Sequence, residues 1–141
     1  MKTQVTKPLL LLAILLFASA QAFAQSADAI VGKWLSEKKD AKIDIYKADN
    51  GKYYGKLFWG ARMYEANGQT SRLAKNGKPF KDMVILKDFT FADGVWEDGT
   101  IYDPEEGKTY SCRMKLDGNR LNIRGYVGVS LFGRETVWQK I

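Results

Sequence analysis

The chain has 141 residues, of which 45% are hydrophobic, 27% charged and 13% aromatic, and its formal net charge is +6 with no histidine. The absence of histidine excludes Ser–His–Asp and Cys–His catalytic sets as well as histidine-ligated metals. The single cysteine, Cys112, excludes an internal disulfide and any Cys-x-x-Cys pair.

The first 24 residues have the pattern of a secretory signal peptide. Lys2 and Lys7 precede an apolar run over residues 9–18, and small residues flank Phe23 at the cleavage-site positions before Gln25. Ten apolar residues are too few for a bilayer core, which needs about twenty. We therefore expect cleavage after Ala24, leaving a single domain over residues 25–141 that does not span a membrane.

The predicted location is periplasmic or secreted, without an attached lipid, because no cysteine follows the apolar run closely. In an oxidising compartment a lone exposed thiol is a liability, so Cys112 is predicted to be buried and unreactive. Once Lys2 and Lys7 leave, 20 basic and 16 acidic residues remain. This charge is too small and too dispersed to predict binding to nucleic acid.

Alternating apolar and polar residues predict an all-β fold without a helix of any length. Eight short strands are expected near residues 30–34, 41–45, 53–59, 83–89, 95–102, 110–116, 121–127 and 134–141. The alternation is clearest where Tyr110, Cys112 and Met114 share one face and Arg113 lies on the other. The pattern is typical of a small antiparallel barrel closed by eight strands, with a β-sandwich as the alternative.

Two connections interrupt the regular succession of short strands and tight turns. Residues 60–82 form a long polar segment, which is either a lid, with or without a turn of helix, or a surface excursion. Residues 128–133 place three apolar residues between two glycines. Because exposed apolar tips are costly unless they bind something, this loop is predicted to plug one end of the barrel, with an exposed binding tip as the alternative.

Catalytic chemistry finds little support in the sequence. The acidic residues Asp98, Asp103, Glu105 and Glu106 lie among Gly and Pro, where carboxylates commonly serve turns. The Gly107-Lys108-Thr109 stretch lacks the first glycine and the following helix of a phosphate loop. No metal-ligating set and no cofactor motif is visible, so the sequence predicts a protein that is not an enzyme.

Ligand binding is better supported, since four Trp, seven Tyr and five Phe remain in residues 25–141. These side chains either fill a small barrel or line a cavity in it. If the turn near Asp117 pairs Leu116 with Leu121, Arg113 falls opposite Arg124, and such a pair needs an anion or a carboxylate such as Glu135 nearby. A different type of turn would place Arg113 opposite Asn122 instead. The ligand-binding candidates are Trp34, Tyr102, Tyr110, Arg113, Arg124, Tyr126, Arg134 and Trp138.

Short segments of the chain, taken in order, resemble known exported barrels. Gly32-Lys33-Trp34 and the late Arg134 resemble the Gly-x-Trp and arginine of the lipocalin superfamily, in which the Trp packs under the Arg at the closed end. The segments 30–34, 55–57, 99–104 with Trp96, 107–112, 124–128 and 131–134 with Trp138 resemble a bacterial exported family, domain of unknown function 2147. The stretch from residue 65 to 68 departs from that family's Asp/Asn-Pro pattern, which leaves open a different ligand preference.

The resemblance implies a small, single-domain, lipocalin-like (calycin-type) barrel and a cation–π contact between Trp34 and Arg134. It carries no catalytic residues. With the sequence pattern, it leads us to expect an exported, non-enzymatic protein that binds a small amphipathic or anionic ligand in the barrel. The alternative is a filled barrel that acts as an interaction module on an envelope protein or polymer.

Overall fold

The computed structural model describes residues 25–141, with Phe132 described for its backbone alone, so the predicted signal peptide lies outside the described residues. Eight strands follow in order: β1 (Gly32–Leu35), β2 (Ala41–Lys47), β3 (Tyr53–Gly60), β4 (Val84–Ala92), β5 (Val95–Asp103), β6 (Lys108–Asp117), β7 (Arg120–Tyr126) and β8 (Arg134–Lys140). Each strand pairs antiparallel with the next, and β8 pairs with β1. The sheet therefore closes, which confirms the predicted barrel and rules out the sandwich.

Two short 3-10 turns, Ala27–Ile30 and Ser130–Phe132, are the helical elements of the described residues. Neither has the length or the hydropathy of a bilayer-crossing helix. The first turn lies before β1 and the second between β7 and β8, so they mark opposite ends of the barrel.

The closed end of the barrel is held by two tryptophans beneath the first 3-10 turn. Trp34 and Trp96 have no solvent-exposed surface, and their indole N–H groups donate to the carbonyls of Ile30 and Ala27, each at 2.9 Å. A buried indole needs a hydrogen-bond partner, and here the 3-10 turn supplies it. The turn is thereby fixed across the end of the barrel.

A polar contact also fastens this turn to β3. The Tyr53 hydroxyl donates to the Asp28 carboxylate, which also lies 3.5 Å from the Lys47 ammonium. This hydrogen bond and the nearby lysine lower the pKa of Asp28. Burial, together with the same hydrogen bond, raises the pKa of Tyr53 to about 12.

The cation that covers Trp34 is not the one that the resemblance implied. Lys140 Nζ lies 5.5 Å from the centre of the Trp34 ring, whereas Arg134 begins β8 at the other end of the barrel. The predicted contact between Trp34 and Arg134 is therefore wrong. Since β8 runs away from the open end, its last residues, and not its first, reach the closed end.

The core of the closed half depends on one close approach between β4 and β5. Gly99 faces inward against the ring of Phe89, which is fully buried, and a Cβ on Gly99 would lie 2.5 Å from that ring. A side chain at residue 99 would thus overlap the aromatic ring. On β6, Cys112 is fully buried, and burial raises the pKa of its thiol to about 12, which confirms the predicted inaccessible cysteine.

The loop between β3 and β4, residues 61–83, is packed and contains no helix. Two isolated bridges, Tyr64 with Ser71 and Leu73 with Pro79, fold it into two small turns. Its apolar side chains Met63, Ala74, Phe80 and Met83 are buried. The loop therefore closes part of the barrel's open end from one side.

The loop between β7 and β8, residues 127–133, carries exposed apolar side chains. Val127 is 78% exposed, Val129 57% and Leu131 79%. For Val129 and Leu131 the predicted plug is wrong and the alternative of an exposed apolar tip is observed, because the backbone of the loop carries both side chains outward at the open end.

Candidate functional site

The open half of the barrel encloses a cavity of about 620 Å³. A water molecule in the liquid has a share of about 30 Å³, so the cavity is far larger than a packing defect. Its volume is within the range of about 300–1,000 Å³ that small-molecule sites occupy. Inward-facing apolar side chains of the strands line it, among them Ile43, Leu57, Ile85, Ile101, Ile123 and Trp138.

One buried polar atom beside the cavity has no partner within the described chain. The hydroxyl of Tyr102, a lining residue on β5, is inaccessible to water and forms no hydrogen bond. An unpaired buried hydroxyl carries a free-energy cost. It is enclosed by protein atoms and is not exposed to the open space of the cavity.

The rim of the cavity is charged, and ion pairs connect its loops. Arg62 from the β3–β4 loop lies 3.8 Å from Asp40 and 3.6 Å from Glu105, so it joins three loops of the open end. Tyr110 donates to Glu106 at 2.7 Å, and this bond raises the pKa of Tyr110. The charged residues of the lining are five acidic ones, Glu37, Asp40, Asp103, Glu105 and Glu106, and three basic ones, Lys38, Arg62 and Arg134.

The structure brings five of the eight sequence-predicted binding candidates to the cavity. They are Tyr102, Tyr110, Tyr126, Arg134 and Trp138. Trp34 instead lies buried at the closed end, and Arg113 and Arg124 lie on the outer face of the barrel, opposite in direction to the inward Cys112 and Ile123. The role of the five cavity residues in binding remains a prediction.

Of the registers considered for β6 and β7, the one that places Arg113 opposite Arg124 is observed. Leu116 pairs with Leu121, so Arg113 lies directly opposite Arg124. Glu135 on β8 is paired with Arg124, with 2.7 Å between the guanidinium and the carboxylate. The carboxylate that the sequence suggested as a neutralising partner is thus in place, outside the barrel.

Of the acidic residues near the β5–β6 turn, Asp103 serves the backbone as predicted, whereas the carboxylates of Glu105 and Glu106 contact the side chains of Arg62 and Tyr110. The Asp103 carboxylate accepts the N–H groups of Glu105 and Glu106 at 2.9 and 3.1 Å. Within residues 25–141, no three acidic or cysteine side chains converge in a way that could hold a metal ion.

Comparison with known proteins gives a family and a structural relative. A family model described as "Uncharacterized protein conserved in bacteria (DUF2147)" matches residues 32–140. The chain belongs to this family. Membership of DUF2147 confirms the resemblance drawn from the sequence, while no functionally curated sequence matches the chain significantly.

Among solved structures, this DUF2147 chain is similar to protein HP1028 from the human pathogen Helicobacter pylori, which is described as belonging to the lipocalin family. The TM-score is 0.67 at 18% sequence identity, and the match covers 79% of this chain and 82% of the other. At this identity the likeness concerns the fold. The DUF2147 barrel is thus lipocalin-like, as predicted.

Several lining residues of the DUF2147 barrel were not among the candidates. Ile123 and Thr136 continue the inward alternation of β7 and β8, so the strand pattern already contained the signal for them. Met63 and Phe80 belong to the β3–β4 loop. No periodicity marks loop residues, and their contribution depends on how the loop folds back over the mouth.

Proposed function

We propose that the protein is an exported, non-enzymatic binding protein that holds one small amphipathic molecule in the open half of its barrel. The observation that carries this proposal is the cavity of about 620 Å³, which is lined by inward-facing apolar side chains of the strands. Apolar surface in the cavity favours a ligand with a hydrocarbon or ring portion. The charged residues at the mouth favour a polar or charged group on the same ligand.

The rim favours an amphipathic ligand over a small free anion. Carboxylates outnumber cations in the lining, and Arg62 already pairs with Asp40 and Glu105. An anionic end group would be received at Lys38 or Arg134, which form no ion pair in the described residues. Such a ligand would place its apolar portion in the barrel and its charged end at the rim.

The proposed location is the periplasm or the exterior of the cell. Its support is the sequence pattern of residues 1–24, with two lysines, a ten-residue apolar run and small residues at the expected cleavage site. Mass spectrometry of the protein that the host cell accumulates would give the N-terminal residue. A chain beginning at Gln25 in the periplasmic fraction is the expected result, and an intact Met1 in the cytoplasmic fraction would contradict it.

The binding proposal is tested by titrating the uncharged fluorescent probe Nile red into the wild-type protein and a cavity-filling variant. Thr136 lies on β8 and lines the cavity, so Thr136→Phe places a ring inside it. Lys115→Phe adds the same ring at an exposed position on β6 and serves as the matched control. Circular dichroism and thermal unfolding establish that both variants are folded.

We expect saturable probe binding by the wild type and by Lys115→Phe, and affinity lower by about tenfold or more for folded Thr136→Phe, equivalent to about 1.4 kcal/mol. Equal affinity for the wild type and Thr136→Phe would place the probe elsewhere. Absence of saturable binding to the wild type would contradict an accessible cavity.

A further inference from the structure

Exposed apolar side chains are concentrated at one end of the barrel. Eight large hydrophobic residues are substantially exposed in the described part of the chain, and two of them, Val31 and Ile141, lie at the closed end. The other six lie at the open end and are Trp59, Tyr64, Leu73, Val127, Val129 and Leu131. We call these six residues the apolar rim.

The apolar rim is divided between two sides of the cavity mouth. Trp59 ends β3, and Tyr64 and Leu73 lie on the β3–β4 loop, whereas the other three lie on the β7–β8 loop. In the closed barrel, β3 and β7 are four strands apart in both directions and so lie on opposite sides. The mouth opens between these two groups of apolar side chains.

The exposure of the β7–β8 loop is too large to be incidental. Val129 and Leu131 are 57% and 79% exposed, although the neighbouring cavity offers apolar surface. Scattered single apolar residues are normal on a surface, but apolar groups gathered around an opening mark an interaction site. Trp and Tyr are also the residues enriched where a bilayer meets water.

The charge of the β3–β4 loop indicates what its side of the mouth contacts, whereas the acidic residues of the open end, such as Glu105 and Glu106, lie in the lining of the cavity. Residues 61–83 contain five basic side chains, Arg62, Arg72, Lys75, Lys78 and Lys81, against the acidic Glu65 and Asp82. Lys75, Lys78 and Lys81 are exposed and form no ion pair in the described residues. Lysines beside exposed apolar groups match an anionic lipid surface, where headgroups attract the cations and the acyl boundary receives the apolar tips.

From these features we propose that the open end of the barrel docks on an anionic phospholipid bilayer. Val129 and Leu131 enter the interface on one side of the mouth, Trp59, Tyr64 and Leu73 lie at it on the other, and Lys78 and Lys81 contact headgroups. A fluid surface accommodates two projecting loops around an opening, whereas a rigid partner would have to fill the concavity between them. The proposal does not depend on which ligand the cavity binds.

Site-specific fluorescence tests the proposal directly. Because Cys112 is fully buried, a new surface cysteine can be labelled selectively with a nitrobenzoxadiazole dye. Leu131→Cys places the dye on the apolar rim, and Ile141→Cys places it on an exposed residue of the closed end. The protein is used in the form that the host cell accumulates, with vesicles of phosphatidylcholine alone or mixed in equal parts with phosphatidylglycerol.

We expect the dye at residue 131 to brighten and shift to the blue on the mixed vesicles, while the dye at residue 141 stays in water. A dye at residue 131 that stays in water, or equal changes at both positions, would overturn the proposal. A change at residue 131 that appears without vesicles and grows with protein concentration would assign the surface to a second copy of the chain, and would overturn it as well.

Unlabelled variants separate the contribution of apolar side chains to vesicle binding from the contribution of lysines. Val129→Ser with Leu131→Ser should weaken sedimentation with mixed vesicles about tenfold or more, whereas Val31→Ser with Ile141→Ser should not. Removing two lysines by Lys78→Gln with Lys81→Gln should also weaken it about tenfold or more. The matched pair Lys87→Gln with Lys115→Gln, exposed on the sides of the barrel, should have a smaller effect. Equal losses in the rim and control variants would refute docking by the open end.

Discussion

Arg113 and Arg124 face each other directly across β6 and β7, and Glu135 on β8 pairs with Arg124 at 2.7 Å. Like charges directly opposite on a sheet are unfavourable, and a carboxylate on the next strand reduces the repulsion. These three residues lie outside the barrel, so their effect is on stability and not on the cavity.

We therefore expect Glu135→Gln to lower the free energy of unfolding by about 0.5–1 kcal/mol, since the ion pair is partly exposed. Adding Arg113→Gln should recover part of this loss, because the repulsion is then removed. Urea denaturation at low and high salt measures both effects, and salt should reduce the deficit. A Glu135→Gln protein that is as stable as the wild type at low salt would contradict the assignment.

The hydrogen bond from Tyr53 to Asp28 makes stability depend on pH at both extremes. The pKa of Tyr53 is raised to about 12, above its ordinary value of 10.0, so its contribution is present below pH 10 and is lost as the pH rises to about 12. The pKa of Asp28 is lowered from 3.8, so its contribution is present above that value and is lost on further acidification.

Tyr53→Phe should make the free energy of unfolding depend less on pH at both the alkaline and the acid extreme. Urea denaturation across the pH range measures this change. Cys112 also has a raised pKa, near 12, and contributes to the alkaline loss from about pH 9 upward. Cys112→Ala is the control, because it should alter the alkaline slope and leave the acid slope unchanged. Identical slopes for Tyr53→Phe and the wild type would show that the hydroxyl is not linked to Asp28.

Gly99→Ala tests the close approach in the closed half of the barrel. A Cβ at residue 99 would lie 2.5 Å from the buried ring of Phe89, so the ring or the strand must shift. We expect a loss of about 1–3 kcal/mol in the free energy of unfolding. Gly60→Ala is the matched control, since its nearest neighbour would be at 3.7 Å, and comparable thermal midpoints for the two variants would contradict the packing.

Tyr102→Phe removes the buried, unpaired hydroxyl that lies beside the cavity. Because that hydroxyl has no partner in the described chain, the ligand-free variant should be as stable as the wild type or more stable by up to about 1 kcal/mol. Thermal unfolding of protein extracted to remove any adduct provides the measurement. A clear loss of stability would mean that the hydroxyl already has a partner within the protein.

The strands were predictable because half-buried antiparallel strands impose a period of two, which is visible in Tyr110, Cys112 and Met114. The register of β6 against β7 depended on the type of one turn, which left both Arg124 and Asn122 as partners for Arg113, and the structure has Arg124 there. Closure of the sheet was not fixed by periodicity, since a sandwich shows the same alternation, and the pairing of β1 with β8 decides between them.

The site was less predictable because a cavity belongs to side chains from distant parts of the chain. Alternation places Tyr110 and Arg113 on opposite faces of β6, yet both are candidates because residue type was weighed above direction. Met63 and Phe80 come from a loop without a repeating pattern. The exposed Val129 and Leu131 reversed the expectation of burial, because their loop leads away from the cavity.

Native mass spectrometry of the protein isolated gently from its host, alongside Thr136→Phe isolated in the same way, tests the central claim most directly. The account predicts a small-molecule adduct, one per wild-type chain, that is absent from the folded variant, whose added ring occupies the cavity. No adduct on either protein, or the same adduct on both, would contradict a ligand held in the open half of the barrel.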